Sequence, residues 1–225
     1  MSEPLATAAN PASRQLDLIQ RRCADDRFNT VPDTPEDVLI ANLSTVIAPH
    51  EFADKDVLEI GAGCSVHLKL FLDFGCRSVV ANDLVAKRLA LIDTSDPRCT
   101  VAAGDFLEAP IAAASIDIVF AHLTMMWVVP MHDAFLARIN RILRPGGCLV
   151  TFDANYVCPL SIWRRFADRT LNPSRLYSPF AFARRAARHG FQVARLVPLT
   201  TSRPQLTGNW LLGTSFMMRA EKRAA

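Results

Sequence analysis

Between Asp56 and Phe152, short apolar runs alternate with stretches in which apolar side chains recur every three or four positions. The runs Val57–Ile60, Ser78–Ala81, Cys99–Ala103, Ser115–Ala121 and Cys148–Phe152 have the length of strands buried on both faces. The spacing between them predicts helices over Val66–Phe74, Val85–Ile92 and His132–Leu143. Gly75 and Pro145-Gly146-Gly147 supply stops, and Ser65 stands where it could cap the first helix. Strands that alternate with helices predict a parallel sheet covered on both faces.

The flanks read differently. Arg14–Asp26 has the pattern of a short amphipathic helix. In Thr34-Pro35-Glu36-Asp37 a capping Thr, a first-turn Pro and two acids open a helix through Val38–Ile47. After the fifth strand, Tyr156–Pro179 is a connection of about two dozen residues, a length typical of lids and binding loops, with a helix predicted at Leu160–Arg169. A helix over Pro179–His189 follows. Gln192–Leu199 and Trp210–Arg219 are strands with no helix between them, so they should pair antiparallel at one edge. The predicted architecture is an α/β, doubly wound, mostly parallel seven-stranded sheet with a C-terminal antiparallel hairpin and N-terminal helices.

Composition narrows the picture. Half of the 225 residues are apolar and 21% are charged, which suits one domain with a single core. Met1–Ser13, rich in Ala, Ser and Pro, reads as a disordered tail ahead of a domain over residues 14–225. A cap at 14–50 and an acceptor-side lid at 156–179 belong to that domain. The net charge of +3 and basic runs no longer than pairs argue against a nucleic-acid partner. Six cysteines without a C-x-x-C pair fit a reduced, cytoplasmic protein. No apolar run reaches the roughly 18 residues of a membrane span, so no membrane partner is expected.

Open α/β sheets bind ligands beyond the carboxyl ends of their strands. The polar residues at those ends are Glu59, Asp83, Asp105, His122 and Asp153. Gly61 and Gly63 allow a tight turn and close approach of a ligand to the backbone. Glycine after a strand also serves ordinary loops, but Val66 stands where a dinucleotide fingerprint needs a third glycine. Asp83 is placed to accept from both hydroxyls of a ribose, in either an NAD-type or an adenosylmethionine-type cofactor. Asp105 is placed either to accept from an adenine amino group or simply to shape a turn, and Phe106 offers an apolar wall.

Five segments in order resemble the motifs of class I S-adenosylmethionine-dependent methyltransferases, particularly the small-molecule branch. They are Val57-Leu58-Glu59-Ile60-Gly61-Ala62-Gly63, Asn82-Asp83-Leu84, Gly104-Asp105-Phe106, Ile116-Asp117-Ile118-Val119-Phe120 and Leu143-Arg144-Pro145-Gly146-Gly147-Cys148-Leu149-Val150. The resemblance implies a Rossmann-like fold that binds S-adenosylmethionine and releases S-adenosylhomocysteine. By position, Glu59 with Gly61, Ala62 and Gly63 would hold the methionine end. Asp83 and Leu84 would hold the ribose, Asp105 and Phe106 the adenine, and His122 would lie below the sulfonium. The sequence departs from the family at Met125-Met126-Trp127, where many members read Leu-Glu-His, and at Ser65, where a third glycine is common.

Methyl transfer is an in-line displacement that depends on positioning, and a hydroxyl or protonated amine acceptor needs a base within hydrogen-bond reach. His122 is the first candidate for that base, or else a ring that only packs beneath the cofactor. Asp153 follows, then Asn155, either of which could orient an acceptor or shape the turn. Arg164, Arg165, Arg169 and Arg175 could greet an anionic small-molecule acceptor or form the solvated face of a helix. No metal is expected: Asp153-Ala154-Asn155 is not a metal-site pattern, and His122, His132 and Asp133 lack metal spacing. The competing readings are a catalytically silent binding protein, an NAD(P)-dependent oxidoreductase, and a transferase acting on protein or RNA.

Overall fold

The computed structural model describes residues 35–167, 177–200, 203–206 and 208–224, with Asp17 and Gln20 as helical positions ahead of them. The tail at 1–13, the Thr34 cap, Arg169, Arg175 and the rest of the Arg14–Asp26 helix lie outside the described residues.

The strands are β1 (Asp56–Ile60), β2 (Ser78–Asp83), β3 (Cys99–Ala103), β4 (Ile116–His122), β5 (Leu143–Ala154), β6 (Phe191–Thr200), β7 (Arg203–Leu206) and β8 (Ser215–Lys222). They form one sheet in the order β3-β2-β1-β4-β5-β8-β6-β7. The first five pair parallel, and β8 runs antiparallel to both β5 and β6. All seven expected strands are present, and the short β7 adds one more at the edge. The last expected strand begins at Ser215 instead of Trp210 and lies inside the sheet. Burial explains its place: Ser215–Met218 are buried without interruption, whereas much of β6 is exposed.

The helices are α1 (Glu36–Ser44), α2 (His67–Asp73), α3 (Ala86–Leu89), α4 (His132–Ile142), α5 (Pro159–Ala167) and α6 (Pro179–Arg188). One sheet face packs Val57, Phe120 and Val150 against Leu43 of α1 and Leu68 and Phe71 of α2. The other packs Leu58, Val119 and Leu149 against Phe135, Leu136 and Ile139 of α4 and Phe182 of α6. Residues alternate between faces along a strand, so the two cores are interleaved through the same strands.

Helix α3 stops well before Ile92. The carboxylates of Asp93 and Asp96 accept from the backbone N–H of Ser95 and Arg98, each at 2.9 Å. These turns lie beyond Ile92; the helix itself ends in tighter i→i+3 turns, with Leu91 and Ile92 N–H donating to the carbonyls of Arg88 and Leu89 at 3.2 and 3.0 Å. Ser65 likewise is not the N-cap of α2, a place taken by Val66; its hydroxyl accepts instead from the His67 N–H at 3.0 Å.

At the amino ends of the strands, Arg144 bridges Asp56 and Asp117, its Nη1 lying 2.8 and 2.7 Å from their carboxylates. Arg77 Nε donates to Asp56 Oδ1 at 3.0 Å. The Arg77 guanidinium, with Ser78 and Arg144, outweighs burial and holds the Asp56 carboxyl far below the usual carboxylate range. A depressed carboxyl stabilises the fold above its unfolded pKa, and that stabilisation is lost as pH falls toward the folded value. The Arg144→Met variant should therefore be less stable at pH 7 and lose less stability between about pH 4 and 2. Urea unfolding at several pH values checks this; an unchanged acid slope would contradict it.

Candidate active site

Strand β1 ends in a loop whose glycines are structurally required. Gly61 and Gly63 have φ of +67° and +58°, a region that other residues enter with strain. A Cβ on Gly61 would overlap the Thr124 hydroxyl, and one on Gly63 would overlap the Arg88 guanidinium. Thr124 Oγ1 lies 3.0 Å from the carbonyls of both Ile60 and His122, so it joins the ends of β1 and β4.

Asp83, buried at the end of β2, grips this loop. Its Oδ2 accepts from Gly63 N–H at 2.8 Å, its Oδ1 accepts from Val85 N–H at 2.8 Å, and Arg88 Nη1 lies 3.5 Å away. Neighbouring Asn82 donates to the carbonyls of Ala102 and Gly104, fixing β2 to the end of β3, while its own carbonyl accepts from Ala62 N–H. Ala62 is buried and Leu84 half-buried beside these contacts. Asp105 is half-buried in the turn after β3, where Oδ1 accepts from Leu107 N–H at 2.9 Å. Phe106 turns into the core and rests on Phe135, with ring centroids 5.1 Å apart.

Glu59 is buried on the α2 side of the sheet. Ser65 Oγ donates to its Oε2 at 2.6 Å, and His67 Nδ1 lies 3.2 Å from Oε1. The His67 ring in turn meets His122 edge-on at 4.7 Å. Glu59, Ser65, His67 and His122 thus form one cluster behind the glycine loop. Burial, and then the neighbouring His67, push the His122 pKa well below the ordinary imidazole value. The ring is neutral at pH 7 and a weak proton acceptor.

Asp153 lies on the other side. His122 pairs with Phe152 in the β4–β5 register, so the next residue, Asp153, projects from the opposite face. It is fully buried, and Met126 N–H donates to its Oδ1 at 3.2 Å. The Tyr177 hydroxyl neighbours this carboxyl without a well-aligned bond, leaving that hydroxyl and Oδ2 without hydrogen-bond partners. Desolvation dominates the contacts that favour the anion and pushes the Asp153 pKa up to about 8.

The two candidate bases therefore do not form a pair. Asn155 plays a structural part, in which its Nδ2 donates to the carbonyls of Trp210 and Gly213, at 2.8 and 2.7 Å, clasping the turn before β8. His132 Nε2 lies 2.8 Å from Met125 O and supports the loop above Asp153. Among the described residues, no three His, Cys, Asp or Glu side chains converge as a metal site would require. The five described cysteines are buried thiols.

Sequence reasoning overlooked His67, Arg88 and Thr124, and it read Tyr177 only as a lid residue. Each acts through a contact with a residue of another element or loop, which no periodicity of the sequence marks.

Residues 58–151 match the family model described as a methyltransferase domain. The chain is 31% identical over 141 residues to a malonyl-[acyl-carrier protein] O-methyltransferase of Enterobacter lignolyticus, covering 63% of this chain and 48% of that one. It spans about half the length of the curated relatives it matches. Among solved structures, a phosphoethanolamine N-methyltransferase 2 of Haemonchus contortus superposes with a TM-score of 0.69 at 17% identity. That match covers 100% of this chain and 62% of that chain. An S-adenosylmethionine-dependent methyltransferase of Mesorhizobium loti gives 0.64 at 16% identity, covering 81% and 96%. The family match spans the central strands of the sheet, and the solved methyltransferase structures share the fold.

The raised pKa of Asp153 has a thermodynamic consequence. The folded state keeps a proton that the unfolded state loses, so Asp153 makes stability fall as pH rises from about 4 to 8, by about 1.4 kcal/mol per unit at the steepest. Asp153→Asn should flatten the decline. Unfolding free energies at pH 5, 6.5 and 8 test this, and equal slopes in both proteins would refute it.

Proposed function

We propose that the protein transfers the methyl group of S-adenosylmethionine to an oxygen or nitrogen of a small-molecule acceptor. The observation that carries this reading is the loop at Gly61–Gly63, whose two glycines take positive φ and which is held by the Asp83 carboxylate. Such a loop offers close backbone approach beside a carboxylate suited to ribose hydroxyls. The loose Arg88 contact at 3.5 Å can yield to them. On this reading Glu59 and the backbone of Gly61, Ala62 and Gly63 bind the methionine end, Asp83 and Leu84 the ribose, and Asp105 the adenine. Phe106 backs that end from the core.

The cofactor's sulfonium supplies an electrophilic methyl group, and its departing electron pair stays on sulfur. The acceptor's lone pair forms the new bond, and the proton it sheds goes to this chain. Once it has lost its own proton, Asp153 is the better matched proton acceptor, because a carboxyl with a pKa of about 8 is more basic than a strongly depressed imidazole. An acceptor hydroxyl or amine would also supply the partner that Asp153 Oδ2 and the Tyr177 hydroxyl lack. His122 serves as a neutral ring that shapes the donor side. The malonyl and phosphoethanolamine relatives support acceptors that are small or carrier-borne.

S-adenosylhomocysteine should raise the melting temperature, whereas NAD(P) should not; stabilisation by NAD(P) alone would sink the proposal. Against a panel of small hydroxyl and amine acceptors, Asp153→Asn should lower kcat by 10²–10⁴-fold, roughly the worth of a general base. His122→Asn should act mainly on cofactor affinity. A large kcat loss in His122→Asn alone would return the base to His122. Binding without turnover on any acceptor would favour a silent binding protein.

A further inference from the structure

A second surface lies beside the candidate acceptor site. Helix α5 carries Leu160, Trp163 and Phe166 at helical spacing on one face, and that face is turned outward: Trp163 is 65% and Phe166 59% exposed. Large apolar side chains of an amphipathic helix normally face the core. On its inward side, buried Ser161 donates to Thr214 O at 2.9 Å. The neighbouring turn adds Leu211 and Leu212, 58% and 64% exposed. Asn155 and Ser161 tie this turn to α5, so both apolar groups sit on one moored unit.

Cations adjoin them. Phe180, in the first turn of α6, rests on Trp210 at 4.6 Å. Arg184 and Arg188 follow at four-residue steps along the same face of α6, and both are exposed. The surrounding stretch is strongly asymmetric: residues 155–190 contain seven arginines and a single acid, Asp168, leaving the rest of the chain net negative.

We infer that this face, with Trp163, Phe166, Leu211 and Leu212 as its apolar part and Arg184 and Arg188 as its cationic border, docks on an anionic lipid surface. Exposed Trp, Phe and Leu beside arginines match the chemistry of interfacial helices, which insert apolar side chains at headgroup depth and draw their bases to anionic headgroups. Among the described residues no helix is long and apolar enough to cross a membrane, so the contact is peripheral. The charge complementarity favours lipid over a second copy of this chain, whose matching face would bring like charges together. The inference does not depend on the methyl-transfer reading.

Co-sedimentation of the full chain with vesicles of phosphatidylcholine, with and without phosphatidylglycerol, tests it. Binding should require phosphatidylglycerol and weaken as salt is raised. Arg184→Glu with Arg188→Glu should reduce the partition coefficient at least tenfold, given about fivefold per basic residue near such a surface. Trp163→Ser with Leu211→Ser and Leu212→Ser should reduce it by about as much again. All five positions are exposed or border solvent, so melting temperature and bound S-adenosylhomocysteine should be retained, which separates this test from that of methyl transfer. Absence of vesicle binding, or binding unaltered by both variants, overturns the proposal. So does a concentration-dependent dimer, seen by sedimentation, that the apolar variant abolishes while vesicles are ignored.

Discussion

Burial of the central strands on both faces is the constraint on which everything else rests. Val57, Leu58, Val119, Phe120, Leu149 and Val150 leave no room for water on either side of the sheet. A polar group on these strands must be paired, or must wait for the point where the chain turns out of the sheet. Glu59 takes the first course through Ser65 and His67, and Asp83 takes it through Gly63 and Val85. The chemistry gathers at the carboxyl ends because the interior rejects it elsewhere.

Asp153 remains partly unpaired, as does the Thr151 hydroxyl two positions before it. The neighbours of Asp153 supply a single aligned backbone bond, and the carboxyl answers by holding its proton. Leaving such a group half satisfied costs about 1–3 kcal/mol. That cost is a reason to look for a ligand at Asp153. On the opposite face, the His122 ring packs against His67 and Phe152.

Most of the fold was legible in the sequence because its signals are local. Apolar runs such as Cys99–Ala103, and breakers such as Gly75, mark strands and helix ends without help from the rest of the chain. The misjudged boundaries have causes of another kind: α3 tightens into i→i+3 turns after Leu89, and the turn clasped by Asn155 precedes β8, which begins at Ser215. For the site, position along the chain indicated which residues stand at strand ends. It did not indicate their faces, since that requires the His122–Phe152 register. Nor could it bring Arg88 against Gly63 or Tyr177 against Asp153, contacts set by packing across the fold.

The Asn155 amide joins the end of β5, the start of α5 and the turn that precedes β8 into one mechanical piece. Asp153 sits two positions before it, and the outward aromatic face of α5 begins a few positions after it. On the readings proposed above, docking at that face and proton transfer at Asp153 would share one short, hydrogen-bonded stretch of chain.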